Sequence, residues 1–234
     1  MTGRGIDQIL PHPSAPWLCE SYVASALTYV DLAERAHGPI PHPVADAYLW
    51  GDALDELAQL RPDLRLINLE TSVTTSDAYL SKGINYRMHP ANIGCLTAAG
   101  IDCCVLANNH VLDWGAAGLR ETLTTLDAAG ITHVGAGGEA ATAARPAFIE
   151  VAGKGRMIVL AFGVMSSGIP PDWAARPGTR ESTGLSSSAS ATSSRSPLRC
   201  ARSNARAMWS SPPFTGVATG AMRFRVNSRS LPAP

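Results

Sequence analysis

Between residues 64 and 134, three short apolar runs alternate with two helix-like stretches, and this alternation leaves little choice of fold. "LRLINLE", "IDCCVLAN" and "ITHVGAG" read as strands. "PANIGCLTAAG" and "AAGLRETLTTLDAAG" read as the helices between them, with Gly100 and Gly130 placed to close their ends. Leu119, Leu123 and Leu126 recur at helical spacing and predict an inward face. Strands joined in this way by helices pair in parallel through right-handed crossovers. The expected fold class is therefore α/β.

The flanks are less regular. "WLCESYVASALTYVDLAERAHG" predicts a helix with Tyr22, Ala26, Tyr29, Val30 and Ala33 on one side, stopped at Gly38. "GPIPHPV" is an extended connector set by its prolines. "WGDALDELAQLRPD" predicts a short helix that ends before Pro62, and "PAFIEVAGKGRMIVLAFGV" predicts a strand, a turn at Gly153–Gly155 and a second strand.

A net charge of zero gives no broad attraction to nucleic acid or to an anionic membrane, so no nucleic-acid partner is expected. No apolar run reaches the roughly 18 residues of a membrane span. The opening "MTGRGIDQIL" lacks the apolar core of a secretory signal, so the cytoplasm is the expected location. The five cysteines include no CxxC pair, which argues against a zinc knuckle, and four of them lie in apolar contexts, which argues for buried free thiols over disulfides.

Two polar clusters follow the first two strands. Asn68 and Glu70 end "LRLINLE"; Asn108, Asn109 and His110 follow "IDCCVLA". Functional loops of parallel sheets gather at the carboxyl ends of strands, so neighbouring strands would bring Glu70, Asn109 and His110 to one rim. A carboxylate, an amide oxygen and an imidazole suit hard or borderline divalent ions. Two such ions can activate a water, and a histidine can protonate a leaving group. Each residue also has a plainer reading. Asn109 can serve a turn, Asp113 and Asn108 can cap the helix near Gly115, and Glu70 can be a solvated strand end. His89, in "YRMHP", stands where it can face the rim. His12, His42 and His133 read as surface, and His37 as a helix-end cation.

"NLETSVT", "ANNHVLDWG", "GLRETLTTLDAAGI", "GAG" and "PAFIEVAGKGRMIVLAFG" together resemble the CapA family of poly-γ-glutamate capsule biosynthesis proteins, related to the calcineurin-like metallophosphatases. The likeness spans roughly residues 1 to 175. It implies a four-layer α/β/β/α sandwich with a two-metal centre, here incomplete. By resemblance Glu70 and Asn109 are metal ligands holding divalent ions (manganese, zinc or iron), and His110 is the catalytic histidine. Asn68, Asn108 and Asp113 support them. The resemblance also implies capsule-synthesis machinery as the partner. Two departures matter. The family opens on a strand ending in "GD", and "MTGRGIDQIL" resembles the stretch just after that aspartate. Its later "HWG" and "GH…H" histidines have no counterpart here.

Composition breaks near residue 181. Residues 182–234 hold seven arginines and thirteen serines but no lysine, aspartate or glutamate. Read one base out of frame with suitable codons, Met208–Ser228 can spell a segment containing "HWG". The expected organisation is a partial CapA-like domain over residues 1–180 and an irregular, frameshifted tail over 181–234, with a genuine low-complexity Ser/Arg tail as the rival reading. Two functions remain open: a metal-dependent phosphatase-like site weakened by truncation, or a non-catalytic remnant or binding module of the same fold.

Overall fold

The computed structural model describes residues 2–174 and 224–226. The chain opens with α1 (Gly5–Ile9) and continues, after an irregular stretch, to α2 (Leu27–His37). The helix expected from residue 17 begins only at Leu27. The Leu18 N–H donates to the Ala24 carbonyl at 3.0 Å and the Ala26 N–H to Pro16 at 2.7 Å, beside a bridge between Trp17 and Ser25. The chain doubles back there and uses donors that a helix would need, so helical spacing loses to tertiary pairing. Next comes α3 (Ala53–Leu60), which ends in the left-handed Arg61 directly before Pro62.

The expected alternation is present as β1 (Leu66–Asn68), α4 (Gly94–Ala98), β4 (Cys103–Val105), α5 (Gly115–Ala128) and β5 (Thr132–Val134); two short strands outside that expectation, β2 (Ser72–Val73) and β3 (Arg87–Met88), pair in parallel between β1 and α4. The first expected helix is split into a 3-10 turn at Pro90–Asn92 and α4. Gly100 and Gly130 close their helices at φ 59° and 70°. After α6 (Ala140–Ala143), β6 (Ala147–Val151) and β7 (Gly155–Val159) form the expected hairpin, and β8 (Phe224–Val226) pairs antiparallel with β7.

The central sheet has the order β1-β4-β5, all parallel, with Asn68 opposite Val105 and Val105 opposite Val134. Strand alternation sorts β4 between two cores. Cys104 packs on the helix side with Leu96, Leu126 and Ile131; Cys103 and Val105 pack on the hairpin side with Val134, Ala147 and Val159. Helices, parallel sheet and antiparallel sheet thus make three layers, and a fourth is not found among the described residues. Burial pushes the Cys95 and Cys104 thiols up to about 12 and Cys103 to about 11, as inert core residues should behave. No helix among the described residues is long and apolar enough to cross a membrane.

Of the tail expected to be irregular, residues 224–226 are described, and they form a strand. Backbone pairing on an open edge such as β7 needs no particular side chains. The boundary at 180/181, the rest of the tail and Cys200 lie outside the described residues.

The segment after β2 is tied to α5 by Glu121. Its carboxylate accepts from the Thr74 hydroxyl, from the Thr75 N–H at 2.8 Å and from the Thr75 hydroxyl at 2.9 Å. Burial alone would raise this carboxyl, but the hydrogen bonds outweigh it and hold it below its ordinary value. A depressed carboxyl contributes stability above its unfolded value and loses it as pH falls through the folded one. Glu121→Gln is therefore expected to cost about 0.5–1 kcal/mol at neutral pH, the low end because water screens the site. The cost should shrink towards zero in acid. Urea unfolding at neutral and acid pH checks this, and an equal cost at both refutes it.

Candidate functional site

Because β1 and β4 are parallel neighbours, their carboxyl ends share one edge. The Asn108 amide donates to Asn68 Oδ1 at 3.1 Å and to the Leu69 carbonyl at 3.0 Å. Asn108 Oδ1 accepts from the His110 N–H at 3.0 Å, and the Asn68 amide donates to Glu70 Oε1 at 3.1 Å. One line of hydrogen bonds therefore runs from Glu70 through Asn68 and Asn108 to His110, and places all four on one rim. Asn108 is a buried tie between the strand ends. Neither it nor Asp113 caps α5, whose first turn has Trp114 before it and no side-chain cap.

His110 is buried, with Nδ1 2.8 Å from Asp113 Oδ2 and 3.4 Å from Lys82 Nζ. The shorter contact assigns the tautomer of the neutral ring: Nδ1–H donates to the carboxylate, and Nε2 then carries the lone pair. No described residue hydrogen-bonds Nε2. Asp113 is fully buried; its Oδ1 pairs with Lys82 at 2.6 Å and its Oδ2 also takes the Tyr86 N–H at 2.6 Å. The Tyr86 ring lies 4.3 Å from the imidazole, centroid to centroid. Burial raises the Tyr86 hydroxyl above its ordinary value; nearby Arg4 opposes this, and Glu70 and Asp113 add to it.

Asn109 follows without a side-chain hydrogen bond among the described residues, and its carbonyl accepts from Lys82. Lys82 also lies 5.5 Å from the Trp173 ring centroid. Sequence reasoning missed both Lys82 and Tyr86. The available signal was rarity, since Lys82 is one of two lysines in the chain. His89 stands in sequence where it could face the rim, but its Nδ1 accepts from the Ala91 N–H at 3.1 Å and caps the turn at Pro90. His133 pairs with Asp127 at the surface.

The donors left for a metal are the Glu70 carboxylate, the Asn109 amide and His110 Nε2. Asp113, the carboxylate beside His110, is already taken by three partners. Among the described residues no three histidines, cysteines, aspartates or glutamates converge as a metal cage. This set does not fit a two-ion centre, which draws on ligands from more strands than two.

Fold and rim together define an α/β protein with a buried imidazole–carboxylate pair at the carboxyl edge of a parallel sheet. The chain belongs to the PGA_cap family of bacterial capsule synthesis proteins, which it matches over residues 1–208. That match runs past the compositional break near 181. Two Mycobacterium tuberculosis proteins, from strains H37Rv and CDC 1551, carry the name "Probable polyglutamine synthesis accessory protein". Each is 48% identical over 177 residues, covering 75% of this chain and 47% of its own length. An uncharacterized protein of Sinorhizobium fredii is 42% identical over 89 residues, or 36% of this chain and 19% of its own. The chain thus spans about half the length of the mycobacterial relatives.

Proposed function

We propose that this chain acts in the assembly of capsular poly-γ-glutamate, and that its rim of Glu70, Asn109 and His110 handles an anionic group of the polymer or its precursor. The observation that carries the reading is His110, fixed through Nδ1 by a fully buried carboxylate while Nε2 is unclaimed at the rim. An imidazole so oriented can give or take a proton at a bound ligand. Glu70, Asn109 and Nε2 would suit one loosely held divalent ion (manganese, zinc or iron) rather than two. A fourth layer, covering the outer side of the hairpin where Phe148 is 56% exposed, would complete the sandwich.

Calorimetric titration with manganese, zinc or iron, beside phosphomonoester and phosphodiester assays, tests this. At most one weak ion per chain and turnover near background are expected. Two tight ions with turnover abolished by His110→Ala would overturn it. The commitment of Asp113 to Lys82, the Tyr86 N–H and His110 also favours a second reading, a non-catalytic binding module. Ligand binding that survives His110→Ala without any measurable turnover would select that reading.

A further inference from the structure

Beside the rim lies a cluster that the proposed chemistry does not use. Arg4 precedes α1 at φ 55°, a conformation uncommon for a non-glycine residue. Its side chain is only 9% exposed. The guanidinium donates to the Tyr29 hydroxyl at 2.5 Å and pairs with Glu20, whose side chain is 3% exposed. It also lies 5.0 Å from the Tyr86 ring centroid, and Tyr86 in turn packs against His110. A group held by Arg4 is therefore one aromatic ring away from the imidazole.

The Arg4–Glu20 pair is unsaturated. Glu20 Oε1 meets one terminal nitrogen, while Arg4 Nε and Glu20 Oε2 are both buried with no partner among the described residues. Burying an ion pair costs several kcal/mol per ion unless the remaining donors and lone pairs are filled. A guanidinium offers a planar fork that takes both oxygens of a carboxylate. Here only the edge made by Nε and one terminal nitrogen is half used; the other terminal nitrogen goes to Tyr29, and the Tyr22 hydroxyl also hydrogen-bonds the guanidinium. Glu20 also sits at the tip of the strap that replaces the expected helix. The strap is anchored at its base, where the Ser14 N–H donates to Asp7 at 2.7 Å and the Ala26 N–H to Pro16 at 2.7 Å. At the tip Tyr22 is 64% exposed, and besides Glu20 its hydroxyl ties the strap to Arg4 and Tyr29, contacts that must also open.

We propose that Arg4, with Tyr29 and Tyr86, forms a carboxylate-binding subsite beside His110, and that Glu20 fills it from within the chain until a ligand carboxylate displaces it. The incoming carboxylate takes the bidentate edge that Glu20 leaves half open, and the strap tip swings out with Glu20. The remainder of the ligand then runs across Tyr86 towards Glu70 and His110. The subsite stands whether or not His110 does chemistry.

The test is calorimetry on the full chain with γ-linked triglutamate and, separately, inorganic phosphate, while the Arg4 Nε–H resonance is followed by NMR. Glu20→Gln removes the competing charge and keeps the shape. It is expected to bind triglutamate about tenfold tighter than the unaltered chain, about 1.4 kcal/mol, with the Arg4 resonance shifting on titration. Adding Arg4→Lys keeps the positive charge but loses the fork, and should return the affinity to the starting level or below. Equal affinity with and without Glu20→Gln overturns the proposal. So does tighter binding that is indifferent to Arg4→Lys. Phosphate bound more tightly than triglutamate, with the same Arg4 dependence, overturns the assignment to a carboxylate. A drop in Tm of about 10 °C on Glu20→Gln marks the pair as a structural tie and overturns displacement.

Discussion

Replacing Asp113 by alanine is expected to destabilise the chain by about 3–5 kcal/mol, the cost of breaking a buried charge pair by removing one partner. The carboxylate is fully buried and holds three groups from three places in the sequence: Lys82 Nζ, His110 Nδ1 and the Tyr86 N–H. Without it each loses its partner. Lys82 keeps 22% of its side chain exposed and can turn towards water, so its share is the smaller one. The Tyr86 N–H and the imidazole have no such exit. Asp113→Asn keeps the shape and part of the hydrogen bonding, and should cost about 1–3 kcal/mol. Its amide can offer a donor to Nδ1, which favours the other tautomer and puts the proton on Nε2. Urea unfolding measures the stability, and the nitrogen shifts of the His110 ring report the tautomer. A loss below about 1 kcal/mol for Asp113→Ala would show that Lys82 and His110 are already solvated, and the account of the rim would fail with it.

That rim is half legible in the sequence. "NLE" and "ANNH" each follow an apolar run, and strands separated by one helix become parallel neighbours, so their convergence follows from topology alone. Asn108 reads as a cap in sequence, yet it bridges the two strand ends. Its role depends on Asn68 and Leu69, which lie some forty residues away. Lys82 and Tyr86 are invisible for a different reason. They sit in the segment 75–86, which has no period of 2 or 3.6, and their places are set by what they touch. The strap from residue 16 to 26 shows the opposite error, since helical spacing is present there. Pairing between Trp17 and Ser25, together with the Glu20–Arg4 contact, outweighs a propensity worth a few tenths of a kcal/mol per residue. Local pattern decides elements packed on one face of a sheet. It fails where a side chain reaches across the fold.

The second large effect is expected at Gly135, in the "GAG" that follows β5. Gly135 adopts φ 92°, and a Cβ placed there would lie 2.8 Å from the Cβ atoms of both Ala107 and Ala161 and 3.0 Å from the Ala107 backbone nitrogen. These neighbours are not flexible side-chain tips. Ala107 continues β4, Ala161 follows β7, and both are small because three strand ends approach each other at this point. Gly135→Val therefore carries two penalties: about 1–2 kcal/mol for a β-branched residue held at positive φ, and about 1–3 kcal/mol for overpacking. The expected loss is about 2–5 kcal/mol. The strain also has a direction. Ala107 is the residue before Asn108, so relief by backbone shift moves the Asn108 bridge, and with it the His110 N–H that Asn108 Oδ1 holds at 3.0 Å. Gly135→Ala should show the same pattern at smaller size, since it adds the single Cβ without branching. Urea unfolding of both variants, with the His110 ring resonances as the local readout, checks the claim. Two variants as stable as the parent, or destabilised variants with an unmoved His110, would show that this junction does not set the position of the rim.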